Sequence, residues 1–210
     1  MQLNTGQWIV IGVCGILIAG YIGGYYYNRR RAEQVYAWLR RGLAAWGNMS
    51  AGERLGGLAV GGRLKVAQPV RPFQRVDVIF LLEPRENLPF WLFHRLQGRR
   101  DELILKVNFR GTPTQEVEVA RRNDREFRRR IAGQPNDTFT LIPNSSGCEV
   151  ALRGSNADPE KIQKFLEHYG KAVYRFWLRQ DAPHLFLRAY LHRLEGEPAE
   201  VFFSTLRELA

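Results

Sequence analysis

The chain has 210 residues, of which 45% are hydrophobic and 25% are charged, and its formal net charge at pH 7 is +10. This length accommodates one membrane segment and one domain with a substantial core, and the apolar content excludes a wholly disordered protein. The positive charge favours anionic partners such as nucleic acid, the ribosome or the headgroups of an anionic leaflet. The two cysteines, Cys14 and Cys148, are far apart, which argues against a disulfide framework and favours a reducing compartment.

An uncharged apolar run near the N-terminus predicts a transmembrane helix at residues 8–27, preceded by a short extracytoplasmic tail at residues 1–7. Its length of about 20 residues matches the apolar thickness of a bilayer. Aromatic residues typical of the membrane interface lie at both ends, namely Trp8, Tyr25, Tyr26 and Tyr27. A signal peptide is the weaker interpretation, because no basic segment precedes the run and no A-x-A cleavage pattern follows it.

The charges that flank this run predict its orientation. Met1 to Gln7 carries no charged side chain, whereas Arg29, Arg30 and Arg31 follow the run directly. By the positive-inside rule, the N-terminus lies outside and the rest of the chain lies in the cytoplasm. We therefore expect the protein in the cell membrane, or in the endoplasmic reticulum membrane if the source is eukaryotic.

Residues 28–63 are expected to form a basic stalk helix followed by a glycine-rich linker. The apolar side chains of the helix fall on or near one stripe, and they are Val35, Trp38, Leu39, Leu43 and Trp46. Two tryptophans among arginines are typical of a helix on a membrane surface, but the same stripe fits a helix docked on the domain. The following segment, Gly47 to Gly62, reads as a loop or weakly structured connector.

Residues 64–210 are expected to form one cytoplasmic α+β domain with a mainly antiparallel sheet and short helices, because hairpins dominate the connections. The strand at residues 101–109 and the one at 114–120 read as a hairpin around the turn "GTP". The other expected strands are residues 75–82, 137–143, 148–154, 172–180 and 184–194, and the expected helices are residues 88–97, 124–133, 160–169 and 198–209.

No pattern of catalytic or metal-binding residues is recognisable. The histidines form no H-E-x-x-H motif, and the sequence has neither a G-x-S-x-G elbow nor a phosphate-binding loop. The acidic residues near strand ends are expected to be exposed caps or members of ion pairs, and they are Glu83, Glu86, Asp101 and Glu102. We therefore expect a protein that is not an enzyme and needs no cofactor.

A cluster of arginines at residues 121–130 is the strongest polar feature. We expect it to contact phosphates of ribosomal RNA or of lipid headgroups, through Arg121, Arg122, Arg125, Arg128 and Arg129. The cluster lacks the interleaved aromatic residues that stack on unpaired bases, so sequence-specific RNA recognition is not expected. The alternative is a solvated helix face, partly neutralised by Asp124 and Glu126.

The short helix at residues 88–97 is apolar on every side. The spacing of Leu88, Leu92 and Leu96 predicts that these three residues pack on the sheet. Trp91, with help from Phe90, is then expected to be partly exposed and to contact the bilayer or the transmembrane helix of a partner. Basic residues that would hold this surface near anionic headgroups are His94, Arg95, Arg99 and Arg100. The alternative is a helix buried between the sheet and the linker or terminal helix.

Several segments resemble the cytosolic domain of the calumin-type family, the single-pass subunit of the PAT complex of the endoplasmic reticulum translocon. They are "VDVIFLLEPRENL", "FHRLQGRRDE", "LILKVNF", "VEVARRNDREFRRRI" and "KFLEHYGKAVYRFW", within residues 75–210. The chain differs in having neither the family's long acidic luminal region nor its long basic coiled-coil tail, so it resembles a short prokaryote-like relative.

The resemblance implies a membrane-anchored adaptor or chaperone scaffold for membrane-protein insertion or assembly. Its expected partners are the lipid bilayer, a small multi-pass membrane protein or other translocon components, and the ribosome. The alternative is a tethered basic module that binds anionic lipid headgroups or ribosomal RNA without catalysis.

Overall fold

One long helix, α1 (Thr5–Leu43), carries the apolar N-terminal run and continues into the core of the domain. It is seen in a computed structural model that describes residues 4–50, 52–55, 61–113, 116–121, 124, 127, 129, 140–143, 148–153 and 159–209. The side chain of Asn4 caps the helix by accepting a hydrogen bond from the backbone N–H of Gln7. Among the described residues, this is the one helix whose length and composition would let it cross a membrane.

The second half of α1 is docked on the domain. The apolar stripe predicted for the stalk is buried there: Val35, Trp38, Leu39 and Leu43 lie in the core, and so does Trp46 in the 3-10 turn that follows the helix. The Trp46 ring stacks on the ring of Phe73, with 4.3 Å between their centroids. Of the two interpretations of this segment, the docked helix is therefore the one observed.

The expected linker contains strands. β1 (Gly47–Met49) and β2 (Glu53–Arg54) both pair with β3 (Gly61–Pro69), which begins before the expected domain boundary at residue 64. The glycine-rich composition predicted a loop, but Gly47 and Gly61 are the first residues of β1 and β3. Their φ values of 139° and 141° are ones that glycine adopts readily, so these glycines allow the strands to begin there. Residues 28–63 are therefore built into the domain where the structure describes them.

The fold is α+β, as the sequence predicts. The described strands after β3 are β4 (Phe73–Leu81), β5 (Glu102–Phe109), β6 (Glu116–Arg121), β7 (Thr140–Pro143), β8 (Cys148–Arg153), β9 (Val173–Leu178) and β10 (Leu185–Tyr190). In the described residues, ten strands form one antiparallel sheet in the order β1-β3-β4-β5-β10-β9-β6-β8-β7, with β2 beside β3.

The predicted hairpin between β5 and β6 is wrong. β5 pairs with β4 and β10, whereas β6 pairs with β8 and β9. The β9–β10 hairpin is inserted between them and satisfies the edges of both strands. The strands expected at residues 137–143, 148–154, 172–180 and 184–194 correspond to β7, β8, β9 and β10, which pair as the antiparallel hairpins β7–β8 and β9–β10.

Besides α1, the helices whose bounds lie in the described residues are α2 (Leu88–Leu96), α3 (Pro159–Tyr169), α4 (Leu191–Leu194) and α5 (Ala199–Glu208). Helix α5 packs closely on α1, since a Cβ atom added to Gly42 would lie 2.3 Å from the Phe203 ring. The rings of Trp38, Phe202 and Phe203 fill this contact. Helix α2 is different, because none of its residues is buried.

If α1 is part of the core, shortening one of its buried side chains must destabilise the whole domain. Leu39 is fully buried, so Leu39→Ala should lower the free energy of unfolding by about 2–5 kcal/mol. The control is Val201→Ala on α5, where the side chain is 47% exposed and the expected change is within about 0.5 kcal/mol. Denaturant unfolding of the full chain in detergent measures both. Equal midpoints for the two variants would contradict a docked α1.

Candidate membrane-interface site

The segment that connects β4 to α2 runs along α1 toward the N-terminus of that helix. Its three contacts with α1 are spaced by about one helical turn each. The carbonyl oxygen of Glu83 accepts a hydrogen bond of 2.8 Å from the side chain of Asn28. The carbonyl of Arg85 lies against Gly24, where an added Cβ atom would be 2.1 Å from its oxygen. The side chain of Leu88 lies against Gly20, where an added Cβ atom would be 2.0 Å from Leu88 Cδ1. Helix α2 therefore starts beside the apolar run of α1.

Asn28 is fully buried where the apolar run ends. Its amide nitrogen donates to the Glu83 carbonyl and, over 3.0 Å, to the Glu86 carboxylate. Its amide oxygen accepts a hydrogen bond of 3.0 Å from the Arg85 guanidinium. An unsatisfied buried amide would be costly, so these bonds fix the position of the connecting segment on α1.

Asp101, which directly precedes β5 and is also buried, connects that strand to the segment between β4 and α2. Its carboxylate accepts two hydrogen bonds from the Arg85 guanidinium, at 3.0 and 3.1 Å, and one of 2.9 Å from the backbone N–H of Glu83. Arg31 on α1 contributes a further hydrogen bond at 3.3 Å. We call Asn28, Arg31, Glu83, Arg85 and Asp101 the junction cluster. Glu83 and Asp101 form ion pairs, as the sequence predicts, and both side chains are buried.

Arg31 also forms an ion pair with Glu195, which follows α4. Burial raises the pKa of the Glu195 carboxyl, although the hydrogen bond from Arg31 acts in the opposite direction. Burial acts to lower the pKa of Arg31, but its interactions with Glu195 and Asp101 raise it overall. The Arg31 side chain thus stays charged and connects α1 with two separate parts of the domain.

Helix α2 has the ends that the sequence predicts. Asn87 caps it by accepting a hydrogen bond of 3.2 Å from the backbone N–H of Phe90. Pro89 occupies the first turn, where a missing N–H costs nothing. Gly98, which has a φ of 78°, lies just beyond the C-terminal end.

The predicted packing of the α2 leucines on the sheet is wrong, whereas Trp91 is partly exposed, as the sequence predicts. Leu92 and Leu96 are 54% and 80% exposed, so they do not pack on the sheet. The face toward the protein contains Leu88 and Trp91, and the indole N–H of Trp91 donates a 2.5 Å hydrogen bond to the Glu83 carboxylate. The leucine spacing predicted a face wide enough to pack on a sheet. Helix α2 instead packs beside α1, and this contact covers only a narrow strip of its surface. Phe90 and Phe93 join the exposed side, at 49% and 57%.

Basic residues gather at the C-terminal end of α2. The Arg95 guanidinium lies 5.4 Å from the centre of the Trp91 ring and 3.6 Å from the Glu83 carboxylate. Arg99 is exposed and contacts His94. Arg100 donates hydrogen bonds to the backbone carbonyls of Arg95 and Arg99. The exposed apolar side of α2 is thus bordered by positive charge.

The arginine cluster of residues 121–130 is described only in part. Arg121 is exposed, and its guanidinium lies 5.1 Å from the centre of the Tyr190 ring. Leu191, which follows Tyr190 in the chain, donates its backbone N–H to the carbonyl of Asp101. Arg121 therefore lies at the end of the sheet that carries the junction cluster. Arg129 is exposed, whereas Arg122, Arg125 and Arg128 lie outside the described residues.

No group of three or more His, Cys, Asp or Glu side chains that could hold a metal ion occurs in the part of the chain that the structure describes. His184 has a structural contact, because its Nδ1 atom accepts a hydrogen bond of 2.8 Å from the backbone N–H of Phe109. Cys148 is buried, and its thiol faces the carbonyl of Gly170 at 3.6 Å.

Comparison with known proteins gives no family for this chain: no protein-family model matches it, and no curated protein sequence matches it. The resemblance to the calumin-type family therefore stays a prediction. The candidate site rests on the contacts between α1, the junction cluster and α2.

Removing the charge of Asp101 should destabilise the domain strongly. Asp101→Asn leaves two largely buried arginines with an incomplete partner, which is expected to cost about 3–5 kcal/mol. Glu33→Gln makes the same chemical change in the pair of Arg29 and Glu33, whose side chains are 54% and 70% exposed, and should cost about 1 kcal/mol or less. Unfolding of the full-length variants in detergent provides the comparison. Similar losses in the two variants would show that the junction cluster contributes no more than a surface ion pair.

The two faces of α2 should respond differently to truncation. Trp91→Ala removes the hydrogen-bond donor of buried Glu83 and should lower stability by about 1–3 kcal/mol. Leu92→Ala truncates a side chain that is 54% exposed and should leave the melting temperature nearly unchanged. The prediction fails if Leu92→Ala is the more damaging of the two changes.

Proposed function

We propose that this protein is a single-pass membrane-anchored adaptor or chaperone scaffold that acts in membrane-protein insertion or assembly. The observation that carries the proposal is the position of α2: its exposed apolar residues are held by the junction cluster beside the apolar run of α1. A protein that binds unassembled transmembrane segments needs an apolar surface at the depth of the bilayer.

The attachment of the domain supports this role. A flexible tether would let the domain sample many positions, whereas α1 enters the core and the junction cluster fixes its exit from the apolar run. The apolar surface of α2 therefore keeps one height and one direction relative to α1. Such preorganisation favours binding, because little conformational freedom remains to be lost.

The proposal includes an orientation and a set of partners. Arg29, Arg30 and Arg31 favour an N-terminus outside and a domain in the cytoplasm, in the cell membrane or the endoplasmic reticulum membrane. The partners would be lipid, a small multi-pass membrane protein or translocon components, and the ribosome. The calumin-like sequence segments point the same way.

A second candidate is a tethered basic module that binds anionic lipid headgroups or ribosomal RNA. It is favoured by the exposed arginines at the junction end of the sheet, Arg121 and Arg193, and by Arg99 after α2. Such charges add attraction to an anionic surface without requiring an apolar partner. In this alternative, α2 has no protein client.

Photo-crosslinking from α2 should separate the two candidates. A benzoylphenylalanine at Phe90 is expected to form adducts with multi-pass membrane proteins or translocon components in native membranes. The same group at Val201, exposed on α5, is the control. Mass spectrometry of adducts from gently solubilised membranes identifies the partners. Adducts with lipid or RNA alone would favour the basic module, and protein adducts no stronger at Phe90 than at Val201 would reject the adaptor.

A further inference from the structure

The exposed side of α2 is densely apolar. Four large apolar side chains lie within this short helix with roughly half or more of their surface exposed: Phe90, Leu92, Phe93 and Leu96. A water-soluble surface seldom carries such a dense apolar patch without a partner. The described part of the chain supplies no cover for it, since α2 has no buried residue.

The contacts along α1 give the depth of α2 in a membrane. An α-helix rises about 1.5 Å per residue, so Gly20, which contacts Leu88, lies about 12 Å from Asn28 along α1. If residues 8–27 cross an apolar core of about 30 Å, Gly20 lies about 10 Å inside the boundary near Tyr27. Helices that lie in a membrane interface are buried by about 5–10 Å. The start of α2 is therefore at the depth of the acyl chains.

The charges near α2 fit the same placement. Arg29 and Arg30 are exposed on α1 just after the apolar run, at the level where headgroups begin. Arg95 and Arg99 are exposed at the end of α2 and can reach the headgroups through their long side chains. Apolar residues thus lie toward the acyl chains, and the positive charges border them.

We propose that α2 is a second membrane contact, inserted into the leaflet on the domain's side with Phe90, Leu92, Phe93 and Leu96 against the acyl chains. The lipid occupant follows from the continuity of this surface with the apolar run of α1. The inference rests on the membrane anchoring in the proposed function but not on the adaptor role. If both hold, a client segment meets α2 inside the bilayer, where it replaces lipid.

Fluorescent labels at defined positions test the insertion. The full chain, with Cys14 and Cys148 replaced by alanine, receives an environment-sensitive label at Phe93→Cys, Leu96→Cys or Val201→Cys. Each variant is placed as a single copy in nanodiscs of phosphatidylcholine with a minor fraction of phosphatidylglycerol. Val201 is the control because α5 packs on α1 at Gly42, about 33 Å along the helix from Gly20.

Two quenchers report the surroundings of each label. We expect nitroxides on the acyl chains to quench the labels at positions 93 and 96 several-fold more than the label at position 201. Aqueous iodide should show the reverse order. If iodide reaches positions 93 and 96 as readily as position 201, α2 lies in water and the proposal is wrong. The adaptor role is tested separately by the crosslinks from Phe90, because protein adducts at Phe90 can form whether or not α2 lies in the membrane.

Discussion

The buried side chain of Asn28 is the contact on which the rest of the arrangement depends. It lies at the last turn before the arginines of α1, and it bonds at once to the carbonyl of Glu83, the carboxylate of Glu86 and the guanidinium of Arg85. An amide buried in this way must keep all of its partners, because a lost hydrogen bond is not replaced by water. One side chain therefore sets the height at which the sheet meets α1, and with it the height of α2.

The charged residues around Asn28 fix the rotation of the domain about α1. Buried ion pairs contribute little net stability because both charges must be desolvated, but a pair with a missing partner is strongly destabilising. Asp101 binds Arg85 and Arg31 at once, so a domain rotated about α1 would leave a buried carboxylate or guanidinium unpaired. The glycines at positions 20 and 24 complete the contact, since any side chain there would overlap Leu88 or the carbonyl of Arg85. Attachment through polar contacts thus specifies one orientation, which an apolar contact alone would define less sharply.

Local sequence signals predicted what depends on local structure. The uncharged run, the α+β class and most strands follow from composition and alternation, and Asn87, Pro89 and Gly98 mark the ends of α2. The errors concern long-range pairing. A turn between β5 and β6 gives no sign that the β9–β10 hairpin lies between them. The leucine spacing of α2 does not tell whether its neighbour is a sheet or a second helix. Asn28 was missed because its partner, Glu83, is 55 residues away along the chain.

The contact between Gly20 and Leu88 is the most direct test of the account, because the proposed membrane contact of α2 depends on its position beside the apolar run of α1. An added Cβ atom at Gly20 would lie 2.5 Å from Leu88 Cγ, which brings the two Cβ atoms to within about 4 Å, the range for a disulfide. Gly20→Cys with Leu88→Cys, in a chain whose Cys14 is replaced by alanine, should therefore form a disulfide on mild oxidation in native membranes. The control pair is Gly23→Cys with Leu88→Cys, since nothing lies within 4 Å of an added Cβ at Gly23. Protection of both thiols from a maleimide in the first pair alone is the predicted result, and free thiols in both pairs would contradict it.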